Sequence, residues 1–362
     1  MRKLLDHHAH RLSARLAATL FTLLLALSAA AAADTPKPTK LFKNGDTLPV
    51  TISASWQQLI RNDEYQGAYP ATLDYTDESG APVKLDLTVE RRGLTRQRVC
   101  RYPPIRLRFE KEAVKGTTFR GQKSLKMVTH CERASRFEQY YVLEMLAYRI
   151  YNQITDYSFR IRPLDIDYHD SERGKTDEDR FGFLIEDDSD VAKRHDLKKL
   201  RIPKLRSTML EPALSSEFAL FQYLIGNVDW AALSGPDPNE CCHNVKLIGK
   251  KELEAGDRVY PIPYDFDSSG LVNADYAVPP QGLPINSVTQ RLYRGYCSHS
   301  ATLEDARRKI VALEGDILAL VENEPRLTSG SRRKALRFLD RGFATLKDPE
   351  DFSEKITAKC RK

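Results

Sequence analysis

Apolar and polar residues alternate at several places in the first half of the chain, and a two-residue period marks a strand with one buried face. Residues 85–90 (LDLTVE), 105–109 (IRLRF), 124–128 (SLKMV) and 159–168 (FRIRPLDIDY) carry it, and 180–186 (RFGFLIE) completes the set. One helix interrupts them. Residues 140–151 form an apolar run that reaches about residue 153, and Ser135 with Glu138 predicts a capping box at its start. The second half changes character. Residues 212–225 predict a helix, 243–248 and 259–264 a pair of strands, and 303–321 and 331–346 two terminal helices with apolar residues three and four apart. Strands first and helices later give an α+β outline of two lobes, a β-rich front lobe with one key helix and a helix-rich back lobe. The connector at 187–203 sets the expected boundary, with lobes at 51–190 and 191–362 behind a polar, proline-bearing leading arm at 34–50.

Residues 1–33 read differently from everything after them. Arg2, Lys3, Arg11 and Arg15 make a basic start, residues 16–27 an apolar core, and Ala31 and Ala33 place small residues where a signal peptidase cuts. This predicts a cleavable secretory signal and a periplasmic or extracellular protein; the alternative, an uncleaved anchor, has a short apolar stretch for a span. No later segment is apolar enough to cross a bilayer. The formal charge of +6 includes +3 from Arg2, Lys3, Arg11, Arg15 and Asp6, which leaves the rest near +3. That balance is too mild to argue for nucleic acid or an anionic membrane surface.

All six cysteines follow the leader: Cys100, Cys131, Cys241, Cys242, Cys297 and Cys360. An even count in an exported chain favours disulfides, and the CxxC spacing of a zinc site is absent. Cys100 and Cys131 flank one strand region and are expected to bridge. One of Cys241 and Cys242 is expected to reach Cys297.

The chemistry-bearing residues gather in the back half. Asp229 lies in Gly226-Asn227-Val228-Asp229-Trp230, past the end of an apolar helix, where a left-handed helix-end turn at Gly226 or Asn227 is the plain reading. Asn244 opens one strand, and Asp265 and Asp267 close the next in Tyr264-Asp265-Phe266-Asp267-Ser268. If those strands form a hairpin, Asn244 and Asp265 come side by side. An amide oxygen beside a carboxylate is a hard-oxygen site suited to magnesium, and a further aspartate is placed to orient or deprotonate a hydroxyl. A structural calcium loop on Asp265, Asp267 and Ser268 is the alternative. In the front half Lys126 sits between Leu125 and Met127, and Glu144 is the lone acid in the middle of the apolar helix. Each needs a partner, and a Lys126–Glu144 pair would satisfy both and aim an ammonium at a phosphate. Lys123 and Arg108 are also on or beside strands. The Arg92-Gly93 turn after the 85–90 strand offers backbone amides and guanidinium groups to anions.

In order, a strand with a basic turn (Arg92-Gly93), a strand lysine, a helix glutamate in Leu143-Glu144-Met145-Leu146-Ala147-Tyr148, Gly182-Phe183-Leu184-Ile185-Glu186, Asn227-Val228-Asp229-Trp230, His243-Asn244 and Pro263-Tyr264-Asp265-Phe266-Asp267 resemble the spore-coat-protein-H-type (CotH-like) atypical kinase family over most of residues 85–295. The resemblance implies a two-lobed protein-kinase-like fold and an ATP- and Mg2+-dependent phosphotransferase. Asp229 would be the catalytic base, Asn244 and Asp265 the metal ligands with Asp267 as a second one, and Lys126 with Glu144 the phosphate-positioning pair. Arg92 and Gly93 would lie by the phosphates and Glu186 near the adenine edge. Here residues 231–242 separate Asp229 from Asn244, where ordinary kinases place the asparagine five residues on. The function expected is phosphate transfer to a protein or cell-envelope acceptor. The alternatives are an inactive assembly module of the same fold, transfer of AMP or another group, and a calcium-stabilised exported binding protein.

Overall fold

Seven strands close on themselves in the computed structural model, which describes residues 37–362 apart from 63, 64, 66, 94, 133 and 236–240. The signal-peptide reading of residues 1–33 lies outside the described residues. β1 (Leu48–Ala54), β2 (Tyr69–Thr76), β3 (Pro82–Arg91), β4 (Ile105–Phe109) and β5 (Ser124–Val128) follow one another as antiparallel neighbours. β7 (Lys175–Ile185) then pairs with β5, and β6 (Ile161–Asp170) with β7. A parallel pairing of β6 with β1, from Leu164 opposite Leu48 to Asp170 opposite Ala54, shuts the ring. Ile52, Leu73, Val89, Leu107, Leu125 and Leu184 are fully buried in this part of the core.

The closed barrel overturns the expected two-lobed protein-kinase-like fold. The protein is a seven-stranded mixed barrel followed by helices, and residues 38–362 make one compact unit. The reason is physical. Alternation reports that a strand has one buried face, and says nothing about whether the two ends of a sheet meet. Closure depends on β1, which begins inside the stretch that reads as a leading arm.

The barrel is followed and buttressed by helices. α1 (Trp56–Arg61) and α2 (Thr95–Val99) are short insertions between barrel strands, and α3 (Glu138–Ile154) lies between β5 and β6 in the chain. α3 is the central helix. Twelve of its 17 residues are buried, and Tyr148 and Tyr151 pack on Phe183, Phe266 and Phe221. The capping box does not form: Ser135–Phe137 is a 3-10 turn, and α3 starts at Glu138 with no side-chain cap.

After α4 (Asp188–Arg194) comes a three-stranded sheet of β8 (Lys198–Leu200), β9 (Val245–Gly249) and β10 (Tyr260–Pro263), with β9 in the middle. α5 (Pro212–Leu224) packs beside it. α6 (Ser300–Ala312), α7 (Glu314–Glu322), α8 (Ser329–Lys347) and α9 (Pro349–Lys355) finish the chain. The single helix expected at 303–321 is broken at Leu313. Among the described residues no helix is long and apolar enough to cross a membrane.

Three disulfides are present. Cys100 bridges Cys131 as the sequence suggests. The expected link from the adjacent pair to Cys297 is absent: Cys241 bonds Cys242, and Cys297 bonds Cys360 near the end of the chain.

Candidate functional site

Three turns meet where the barrel's outer face adjoins the C-terminal sheet. The first follows α5. Gly226 takes the left-handed conformation (φ +64°) that ends the helix, and the Asn227 side chain accepts from the Asp229 amide at 3.0 Å. The second is set by a two-residue antiparallel bridge between Ala231 and His243, which brings Asn244 back to Asp229. The Asn244 side-chain nitrogen donates to the Asp229 carbonyl at 2.8 Å and to its carboxylate at 3.1 Å. The third turn leaves β10. β9 and β10 pair with Val245 opposite Pro263, and the Tyr264 amide donates to the Asn244 carbonyl at 3.1 Å, so Asp265 follows beside Asn244 as the hairpin reading requires. Gly270 and Leu271 donate back to the carbonyls of Gly226 and Ile225, which stitches the third turn to the first.

Asn244 and Asp265 both adopt positive φ, 52° and 65°. Asn and Asp tolerate this region better than other residues with a Cβ, but its concentration here holds two oxygen-bearing side chains in an uncommon backbone state. The Asp265 amide is held by the Tyr148 hydroxyl at 2.9 Å. Its carboxylate accepts no hydrogen bond from the described residues. Asp267 is buried, with Tyr276 donating to one oxygen at 3.1 Å and Ser268 to the other at 3.3 Å. Burial and then the charge of Asp265 raise the Asp267 carboxyl above its ordinary range, and Asp229 adds to the effect. The three carboxylates therefore share one field. His243 Nε2 donates to the Asp229 carboxylate at 2.8 Å, and that bond raises the imidazole above its usual value.

The barrel supplies positive charge. Leu125 and Met127 are buried in the barrel, so Lys126 between them faces outward. Its ammonium lies 4.2 Å from the Tyr264 ring centre, and Lys246 approaches the same ring at 5.1 Å. Burial, with help from Arg92 and Lys246, pushes Lys126 down to about 7. Arg92 donates to the Ile105 carbonyl at 3.2 Å and feels the charge of Asp265. Gly93 beside it has φ +81°, a conformation this turn could not give to most other residues.

The expected Lys126–Glu144 pair does not form. Glu144, 1 % exposed on α3, takes Arg96 of α2 at 3.4 Å, and Arg96 also donates to the Thr129 carbonyl at 3.2 Å. Burial raises the Glu144 carboxyl, while the charge of Arg96 pulls it the other way. Burial alone would lower Arg96, but Tyr276, Glu144, Asp267 and Asp265 raise it. Glu144 and Tyr148 are four residues apart on one face of α3, so one helix reaches both Arg96 and the Asp265 turn. The Cys100–Cys131 bridge fastens the end of α2 close to Thr129 and keeps Arg96 in place.

Glu186 makes its contacts elsewhere. Its carboxylate accepts from Arg194 at 3.1 Å and from the Arg160 amide at 3.0 Å, and its own amide is used by the Arg160 carbonyl. Arg96, His243 and Tyr276 went unassigned in the sequence. Arg96 sits on a five-residue helix with no apolar period to betray a buried face. His243, next to Asn244, was the more visible signal.

Among the described residues no three His, Cys, Asp or Glu side chains form a set that would hold a metal ion by themselves. The oxygens free for an ion are those of Asp265 and the amide oxygen of Asn244, a hard-donor pair. No family model matches the chain, and no curated protein matches it.

Proposed function

We propose that this protein is an exported phosphotransferase that uses Mg-ATP to phosphorylate a protein or cell-envelope acceptor. The observation that carries the reading is the uncommitted Asp265 carboxylate beside Asn244 and Asp229, facing a barrel wall that offers Lys126 and Arg92. The three disulfides accord with an oxidising compartment. The motif likeness to the spore-coat-protein-H-type kinases supports the residue roles; the reading takes no architecture from it.

In this reading Asn244 and Asp265 would hold a magnesium ion, leaving it open to phosphate oxygens and water. The bound ion would neutralise charge on the transferring phosphoryl group. Asp267, already held by Tyr276 and Ser268, adds negative charge behind Asp265 and stands as the further ligand. Lys126 and Arg92 hold the phosphates, with Gly93 shaping the Arg92 turn. Asp229 receives the acceptor hydroxyl's proton, and Asn244 fixes the carboxylate that does so. Glu144 acts at a distance, by anchoring Arg96 behind the carboxylates.

A thermal-shift titration tests this. Mg-ATP should raise the melting temperature of the wild type, leave Asp265→Ala unmoved, and stabilise Asp229→Ala without transfer. Stabilisation by calcium alone, and none by Mg-nucleotide, would reject it.

A further inference from the structure

A second region, apart from the carboxylates, has the chemistry of a docking groove. A cavity of about 780 Å3 lies between the start of α3, the face of α8 and the segment 270–275. Its frame is fixed by hydrogen bonds. Gln139 of α3 donates to the Arg326 carbonyl at 3.0 Å and accepts from the Thr328 amide at 2.9 Å, which ties the starts of α3 and α8 together. The floor is apolar, built from Leu143, Leu271 and Phe338.

The charge on the α8 wall is distinctive. Lys334, Arg337 and Arg341 are exposed, recur at steps of three and four on one helix face, and line the cavity. No ion pair among the described residues uses any of them. By contrast Arg326 is paired with Glu324 and Asp165, and Arg136 with Asp275. Three cations free of ion pairs, Arg341 resting over the Phe338 ring at 5.9 Å, stand above an apolar floor and match spaced carboxylates carried on apolar side-chain neighbours. A nucleic acid fits less well, because a formal charge of +6 over 362 residues is mild for a phosphate-backbone binder.

We propose that this cleft binds an acidic polypeptide segment of a partner protein, with Lys334, Arg337 and Arg341 as its charge readers. Binding here needs no nucleotide, so it stands or falls independently of the phosphotransferase reading.

The test is fluorescence anisotropy with a short fluorescein-labelled peptide of alternating Asp and Leu, titrated with the whole protein. Affinity should fall about tenfold or more in Lys334→Glu/Arg337→Glu and again in Arg341→Glu, and weaken with added salt. Arg333→Glu, on the same helix but outside the cleft, should bind as the wild type does. These side chains are exposed, so unchanged melting temperatures should accompany the loss. Equal binding by the charge-reversed variants, equal binding of the same peptide with Asn for Asp, or tighter binding of single-stranded DNA would overturn the proposal.

Discussion

Asn244 donates to Asp229 twice through one side-chain nitrogen, to its carbonyl at 2.8 Å and to its carboxylate at 3.1 Å. The pair is 15 residues apart in sequence and brought together by the bridge between Ala231 and His243. Asn244→Asp replaces a donor with a second carboxylate at hydrogen-bond distance. The expected cost is roughly 1–3 kcal/mol in denaturant unfolding, largely recovered when Asp229→Asn is added. Additive losses in the double variant would show that the two residues do not act as a pair.

Lys126 has a pKa near 7, held down by burial and by the neighbouring cations Arg92 and Lys246. At neutral pH it is therefore only partly charged. A bound phosphate favours the ammonium, so nucleotide binding slightly above neutral pH should take up protons. Calorimetry of Mg-ATP binding in buffers of different ionisation enthalpy measures this directly. Lys126→Met should bind more weakly and take up fewer protons.

The Arg96–Glu144 pair is buried on both sides, with side chains 7 % and 2 % exposed. Removing one partner strands a charge in the core. Arg96→Met is expected to cost roughly 3–5 kcal/mol, and Arg96→Met with Glu144→Gln clearly less. Chemical denaturation of the three proteins decides it; a single-variant cost below about 1 kcal/mol would mean the pair is not a buried anchor.

The His243–Asp229 contact gives a pH signature. Hydrogen bonding to Asp229 raises the imidazole above 6.5 in the folded protein. A raised pKa stabilises the fold while the group is protonated, fully below the unfolded value and no longer once pH passes the folded one. The stability lost in His243→Gln should thus be larger at about pH 5.5 than at about pH 8.5. The effect is modest, since the His243 side chain is 44 % exposed. Phosphate transfer should move oppositely, rising as His243 loses its proton and stops neutralising the Asp229 carboxylate.

The alternating runs gave β4 and β5 to the residue, and the apolar period placed α3, α5 and α8 within a few positions. The hairpin that brings Asn244 to Asp265 was also legible, because two short apolar runs flank a polar stretch. The closure of the barrel was not. β1 does alternate, with Leu48, Val50, Ile52 and Ala54 buried, but it begins in a polar, proline-bearing stretch and its parallel partner β6 is more than a hundred residues away. Nor does a sequence choose Arg96 over Lys126 as the partner of Glu144. Both are cations in the front half of the chain, Lys126 in the middle of β5 and Arg96 on α2, and only the path of α2 and the Cys100–Cys131 bridge separates them. The pairing of Cys297 with Cys360 depends on where the last helix ends, which local pattern does not encode.

If the proposed role is right, Asn244 and Asp265 hold one divalent ion together with a nucleotide. Electron paramagnetic resonance with Mn2+ in place of magnesium counts that ion. In the presence of ATP the wild type should bind Mn2+ at one site per chain, and Asp265→Ala and Asn244→Ala should lose it. Retention of the signal in both variants, or no bound Mn2+ in the wild type with ATP present, would rule out a metal site at Asn244 and Asp265.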